Sequence, residues 1–373
     1  VTEPAGEVVA AARIVLDGDV LEPGWLRIVD GIVVDAGAGT PDPRLPVARR
    51  VAGTIVPGFV DMHCHGGGGY GFTDPEVAQV RAALAFHASH GNAATMLSLV
   101  TAPADELLAQ VRRLAPLVAA GEAPGIHLEG PWLSRARCGA QDPRAMRDPD
   151  PAEIDRLLEA GDGAIGLVTL APERPGALDA IDRFVAAGVV VALGHTDASY
   201  DQTAAAVDRG ATVATHLFNG MRPFTHRDPG PILALLDDER VVVELIGDGV
   251  HVDPRVVSSV AARVGAGRVA LISDAMAAAG SADGRYRLGA LDVTVADGVA
   301  RLSDGGAIAG GTSTMAQQFG RILAAPPRGC TTELEALTAA VTMTSTTPAR
   351  VLDLAETGLG QLSVGAPARF AVV

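Results

Sequence analysis

The chain has 373 residues, 48% of them hydrophobic, and a formal net charge of −15. That charge excludes nucleic acid as an expected partner, because a polyanion needs a basic face, and no apolar run approaches the roughly 18 residues of a membrane helix. The length suits one large α/β barrel with an appendage.

Residues 1–56 read as short strands separated by turns: "AARIVL", the turn "DGD", "WLRIVDGIVVDAG", a Pro-rich link "TPDPRLP", then "RRVAGTIVPG". Such hairpin signals predict a small antiparallel unit. The amino terminus "VTEPAGEVVAAARIVLDGD" lacks the basic and apolar regions of a secretory signal. Cys64, Cys138 and Cys330 stand at unrelated spacings that outline no disulfide framework, so a reducing cytoplasm is expected.

After Pro57 the texture changes to apolar runs of strand length alternating with Ala- and Leu-rich helical stretches. The runs are Phe59–His63, Ala94–Leu99, Gly125–Leu128, Gly166–Leu170, Val189–Leu193, Thr212–His216, Val242–Ile246 and Val269–Ile272. Between them, segments such as "DPAEIDRLLEAG" and "DPRVVSSVAARVGAG" open on Asp-Pro and close on Gly, which are helix start and stop signals. Eight βα repeats predict an α/β fold of the (β/α)8 TIM-barrel type over residues 57–350. A strand-like insertion, "GRYRLGALDVTVADGVARLSDGGAIAGG", follows the eighth run, with two further helices near 313–325 and 332–346. Residues 351–373 look like strands that return to the amino-terminal unit, and the abrupt stop at Val373 suggests a clipped end.

In such a barrel the chemistry gathers at the carboxyl ends of the strands. His63 and His65 end the first run, His127 and Glu129 the third, His195 the fifth and His216 the sixth; His251 follows the seventh and Asp274 ends the eighth. Imidazoles and carboxylates converging on one rim are the donor set that zinc or a similar divalent ion selects. Alternation along the strand aims His63 and His65 to one side and Cys64 to the other, so Cys64 is expected to be a core thiol. The glycines after His65 permit tight turns near the site. Cys138 has Arg135 and Arg137 close by in sequence, which would lower its pKa if those charges approached, although an inert loop thiol is the expectation.

The stretches "PGFVDMHCHGGGG", "HLEGPWLS", "RCGAQDP", "LGHTDA", "ATHLFNGMRPFTHRDPG", "IGDGVHV", "LISDAM" and "AGGTSTMAQ" resemble the N-acetylglucosamine-6-phosphate deacetylases of the amidohydrolase superfamily. The resemblance implies a small β-sandwich built from the flanking strands, and Glu129, His195 and His216 as ligands of a principal metal, with His63 and His65 for a second ion. Related barrels bridge two metals with a carboxylated lysine; this chain contains no lysine, and Glu129 is the substitute carboxylate. The resemblance further implies Asp274 as general base and acid, contacts to a phosphorylated amino sugar from Ala140, Gln141, Asn219, Gly220, Arg227 and His251, and a homodimer in which Arg227 serves the neighbouring subunit. Gln141 stands where many relatives carry a histidine; an amide donates a hydrogen bond to the acetyl carbonyl but cannot titrate. The competing readings are another metal-dependent amidohydrolase, acting on a cyclic amide or a different N-acyl sugar, and a non-catalytic binding barrel.

Overall fold

The computed structural model describes residues 6–45 and 47–373; the first five residues of the expected amino-terminal unit, and Pro46 of its Pro-rich link, lie outside the described residues. Strand β1 (Glu7–Leu16) turns through Asp17–Gly18 into β2 (Asp19–Leu21), and β3 (Gly24–Val29) turns through Asp30–Gly31 into β4 (Ile32–Ala38). All four turn residues have positive φ, the conformation that makes Asp-Gly the preferred two-residue hairpin loop. After β5 (Val47–Pro57), the carboxyl-terminal strand Phe370–Val372 completes a six-stranded sheet by pairing antiparallel with β5.

This sheet is mixed rather than purely antiparallel, because β1 and β5 pair in parallel. The hairpin signals describe neighbours in sequence correctly; the Pro-rich link, however, carries the chain back across the sheet before β5 begins. Its apolar side joins Val9, Ile14, Leu26, Val33 and Ile55 to Leu362 from the far end of the chain. Main-chain bonds Asp17 N–H to Leu362 O (2.9 Å) and Val33 N–H to Ala366 O (3.0 Å) fasten that end in place.

The second unit begins with β6 (Phe59–Asp61) and the small hairpin β7 (Gly66–Gly67) and β8 (Tyr70–Gly71). There follow β9 (Asn92–Thr95), β10 (Leu97–Leu99), β11 (Ile126–Glu129), β12 (Ile165–Leu170), β13 (Val190–Leu193), β14 (Ala211–Ala214), β15 (Val242–Leu245) and β16 (Val269–Leu271). From β10 to β16 the strands form one parallel sheet in sequence order, while β9 pairs in parallel with β6. The second run, expected as one strand, is thus split at Met96, whose N–H bonds to Asp61 O at 2.9 Å. The eighth run closes onto the first: the Asp61 carboxylate accepts from Ser273 N–H at 3.1 Å and from the Ser273 hydroxyl, and Asp274 N–H donates to His63 O at 2.9 Å.

Period-two alternation sorts each strand into two faces. Leu167, Ala192, Val213, Val242 and Ala270 fill one cluster with Met62 and Met96, whereas Val168, Leu193, Val243 and Leu271 pack with helix residues such as Leu107, Ile154 and Ile181. Helices Val77–Ser89, Ala104–Ala119, Pro151–Gly161, Ala177–Ala186, Tyr200–Asp208, Gly230–Asp237 and Pro254–Val264 occupy the crossovers. The insertion, expected to be strand-like, folds into an antiparallel sheet, β17 (Gly284–Leu288), β18 (Leu291–Ala296) and β19 (Val299–Leu302). Helices Met315–Ala324 and Glu333–Val341 follow, each opened by a threonine capping box. Among the described residues, no helix is long and apolar enough to cross a membrane.

Candidate active site

The strand ends bring two groups of side chains together: Glu129, His195 and His216 in one, and His63, His65 and Asp274 in the other. Within each group the donor atoms all lie within 4.8 Å of one another, and every member is buried. Three of the six residues adopt a left-handed backbone, His195 at φ 46°, His216 at φ 29° and Asp274 at φ 45°. Such conformations are costly for residues with a Cβ and concentrate where function requires a side chain to be aimed against the run of the strand. The loop after His65 needs its glycines: a Cβ on Gly67 would come within 2.6 Å of Phe86 Cδ1, and Gly68 sits at φ 63°.

Glu129 lies across both groups. Its Oε1 is 3.1 Å from His195 Nε2 and 2.9 Å from His216 Nε2, and its Oε2 is 3.2 Å from His65 Nε2. Asp274 Oδ1 is 3.3 Å from His65 Nε2 and 3.5 Å from His63 Nε2. The histidine nitrogens also face one another, with His63 Nε2 and His65 Nε2 3.1 Å apart and His195 Nε2 and His216 Nε2 3.1 Å apart.

The opposite edges of these rings decide what such closeness means. His65 Nδ1 donates to Ser98 O at 3.1 Å and His195 Nδ1 donates to Arg137 O at 2.9 Å, since a carbonyl only accepts. Their Nε2 atoms therefore face into the cluster, and nitrogens that close need a positive centre between them, a proton or a metal ion. The residues fit a divalent cation: imidazole and carboxylate donors, the tautomers of His65 and His195 held from behind, and no lysine ammonium to compete. Burial opposes charge on His65, but its contacts with Asp274 and Glu129 outweigh that and push its pKa up to about 9. Burial likewise works against charge on Glu129 and Asp274, yet the neighbouring imidazoles, His63 foremost, hold both carboxyls below the usual range. A metal entering at neutral pH must thus displace a proton from His65.

Several residues turn out differently from their expectation on the rim. Asp274, expected as acid and base, is also placed among the candidate ligands. His127 is a packed histidine, its Nδ1 paired with Ser98 Oγ at 2.9 Å and its Nε2 with Thr169 Oγ1 at 2.9 Å, and burial lowers its pKa well below the usual value. Cys64 is the core thiol expected, fully buried with its Sγ 3.2 Å from His87 Nε2. Sequence reasoning missed Asp61 and Glu244, both fully buried carboxylates inside apolar runs. Glu244 Oε2 stands 3.2 Å from His63 Nδ1 and accepts from His216 N–H at 3.1 Å. A charged residue at a buried strand position was the available signal.

A pocket of about 270 Å³ opens onto the cluster, lined by Ala140, Gln141, Asn219, Gly220 and His251 with an apolar wall of Leu288, Ala307 and Ile308. His251 is held by Asp248, Nδ1 to Oδ2 at 2.7 Å, which raises its pKa against the opposing effect of burial. Gln141, in the pocket lining, accepts from Thr101 N–H at 2.8 Å and gives one amide N–H to Glu129. Arg227 is exposed, lies outside this pocket and makes no ion pair or side-chain hydrogen bond among the described residues; Asp228 pairs with Arg222 instead. The two arginines near Cys138 in sequence have other partners, Arg137 with Asp197 at 2.8 Å and Arg135 with Met146 O at 3.0 Å.

The sequence model of the Amidohydrolase family matches residues 54–373. The chain is 38% identical over 310 residues to the N-acetylgalactosamine-6-phosphate deacetylase of Escherichia coli O157:H7, covering 82% of this chain and 80% of that one. It is 36% identical over 323 residues to the N-acetylglucosamine-6-phosphate deacetylase of Vibrio furnissii, covering 86% and 78%. Its structure is similar to that of a mutant N-acetyl-D-glucosamine-6-phosphate deacetylase from Mycobacterium smegmatis in complex with N-acetyl-D-glucosamine-6-phosphate, with a TM-score of 0.94 and 49% identity over 99% of this chain and 95% of that one. With a match spanning most of the sequence, the chain belongs to the amidohydrolase family, in the group of the N-acetylglucosamine-6-phosphate deacetylases.

Proposed function

We propose that the protein hydrolyses the acetamide of N-acetylglucosamine 6-phosphate to glucosamine 6-phosphate and acetate, in amino-sugar catabolism and cell-wall sugar recycling in the cytoplasm. The observation that carries the reading is the pair of ligand groups joined by Glu129 at the floor of a pocket whose walls hold Asn219, Gly220 and His251. The donor types favour zinc, one or two ions per subunit, with Glu129, His195 and His216 holding the principal ion and His63 and His65 a second. A bound divalent ion supplies a Lewis acid for the amide carbonyl and lowers the pKa of water toward about 7.

The chain's own residues do the rest. Asp274, ionised at neutral pH, takes the proton of the attacking water at its carboxylate and returns it to the departing sugar nitrogen. Gln141 holds Glu129 in place through its amide N–H, and Ala140 beside it forms part of the wall. Asn219, Gly220 and His251 hold the sugar phosphate. Arg227, unpaired among the described residues, extends to the site of a neighbouring subunit in a homodimer, where its planar fork of donors suits a phosphate. The supporting scaffold is a (β/α)8 barrel over residues 57–350, with a small β-sandwich domain from residues 1–56 and 351–373.

The experiment is metal analysis of the purified protein paired with acetate release from N-acetylglucosamine 6-phosphate and its galactose epimer, which the Escherichia coli relative's name brings in. Metal-loaded protein that releases no acetate from either would refute the reading. Arg227→Ala is expected to cost roughly tenfold or more in the preference for phosphorylated over unphosphorylated sugar, the worth of one charge-assisted contact. An unchanged preference removes Arg227 from the phosphate site.

A further inference from the structure

Resting on the metal-centre reading, we infer that Glu244 is a positioning residue that couples the two ligand groups and turns the lone pair of His63 toward the cation. It sits on β15 between Val243 and Leu245 with no exposed surface, an unfavourable place for a carboxylate without a task. One oxygen, Oε2, serves both groups: it stands 3.2 Å from His63 Nδ1 and 3.1 Å from the main-chain nitrogen of His216. These histidines belong to different groups, and their rings stack at 5.4 Å with planes 30° apart. The other oxygen, Oε1, is buried without a hydrogen-bond partner among the described residues.

Two consequences follow from this geometry. A carboxylate facing Nδ1 keeps the proton there, which leaves Nε2 of His63 with its lone pair directed at His65 and Asp274 and makes that nitrogen a better donor to a metal. The bond to His216 N–H also holds a backbone at φ 29°, so Glu244 keeps His216 aimed into the cluster. It is not among the residues that line the pocket and acts through the two histidines.

Glu244→Gln retains an acceptor oxygen and removes the charge; Glu244→Leu removes both. In competition between the folded protein and a zinc chelator, Glu244→Gln should weaken binding at the His63 group by about 10–100-fold, the usual consequence of losing an outer partner of a ligating histidine. Glu244→Leu should weaken it further. Nitrogen NMR of ¹⁵N-histidine-labelled protein should show His63 protonated at Nδ1 in the loaded wild type and a tautomer mixture in Glu244→Leu. Should the leucine variant fail to fold, the nearly isosteric glutamine variant carries the test alone. Wild-type zinc affinity in Glu244→Gln overturns this inference and leaves the metal centre standing. Wild-type protein that takes up zinc at the Glu129, His195 and His216 group but none at the His63 group overturns the inference alone, and protein that takes up zinc at neither group overturns the metal-centre reading as well.

Discussion

Asp274→Asn is expected to keep its metal complement and to lose about 10²–10⁴-fold in kcat, the range for removing a general acid and base. Asparagine retains an oxygen at the position of Oδ1, which lies 3.3 Å from His65 Nε2 and 3.5 Å from His63 Nε2, so the ligand geometry survives. It cannot accept the proton of an attacking water or return one to an amine. The pH profile carries the same information with a definite sign. Burial works to raise the Asp274 pKa, but His63 and His65 hold it below the ordinary carboxylate value, so the base is ionised at neutral pH and is lost as pH falls through that lowered value. Wild-type kcat should therefore drop on the acid side, and the residual rate of the variant should lack that limb. Steady-state rates with metal content measured on the same samples decide it; near-normal turnover would remove Asp274 from the chemistry.

Glu129→Gln is the second large effect, and it should act on binding before it acts on rate. The carboxylate faces His195, His216 and His65 at 3.1, 2.9 and 3.2 Å, so replacing it leaves several nitrogens without the negative charge that draws a cation among them. Gln141 already donates to this carboxylate, and a second amide there sets donor against donor or turns the remaining oxygen away from the histidines. Removing one member of a buried charged pair costs roughly 3–5 kcal/mol, which corresponds to a loss of about 10²–10⁴-fold in metal affinity. Calorimetric titration with zinc should show it, with turnover falling alongside. The pH dependence of that titration is a check on the wild type: because the His65 pKa lies at about 9, zinc affinity should rise as pH approaches that value and fall below it. Full metal content in Glu129→Gln would mean that the cluster holds its ion without a joining carboxylate.

Much of this site was legible in the sequence because its residues follow local rules. An alternating strand aims His63 and His65 to one side and Cys64 to the other, and the fold places strand ends on one rim, so His195, His216, Glu129 and Asp274 could be listed before any contact was known. The helices between the runs were marked by caps and glycines that depend on neighbours a few residues away. What could not be read depends on chain segments far apart. Glu244 lies 181 residues from His63 and looked like one more position in an apolar strand. Asp61 lies 212 residues from Ser273, the contact that closes the eighth run onto the first.

The split of the second run at Met96, the parallel pairing of β1 with β5, and the turning of Gln141 toward Glu129 belong to the same class. The exposure of Arg227 does too, since a side chain's distance from its own pocket is set by the path of a loop. By itself the sequence determined which side chains stand at the strand ends and that His63 and His65 leave their strand on one side and Cys64 on the other, since periodicity is a property of a few consecutive dihedral angles. Tertiary structure alone decided which of them touch and what holds them from behind, because register between distant strands is settled by packing of the whole chain and leaves no mark on any short stretch of it.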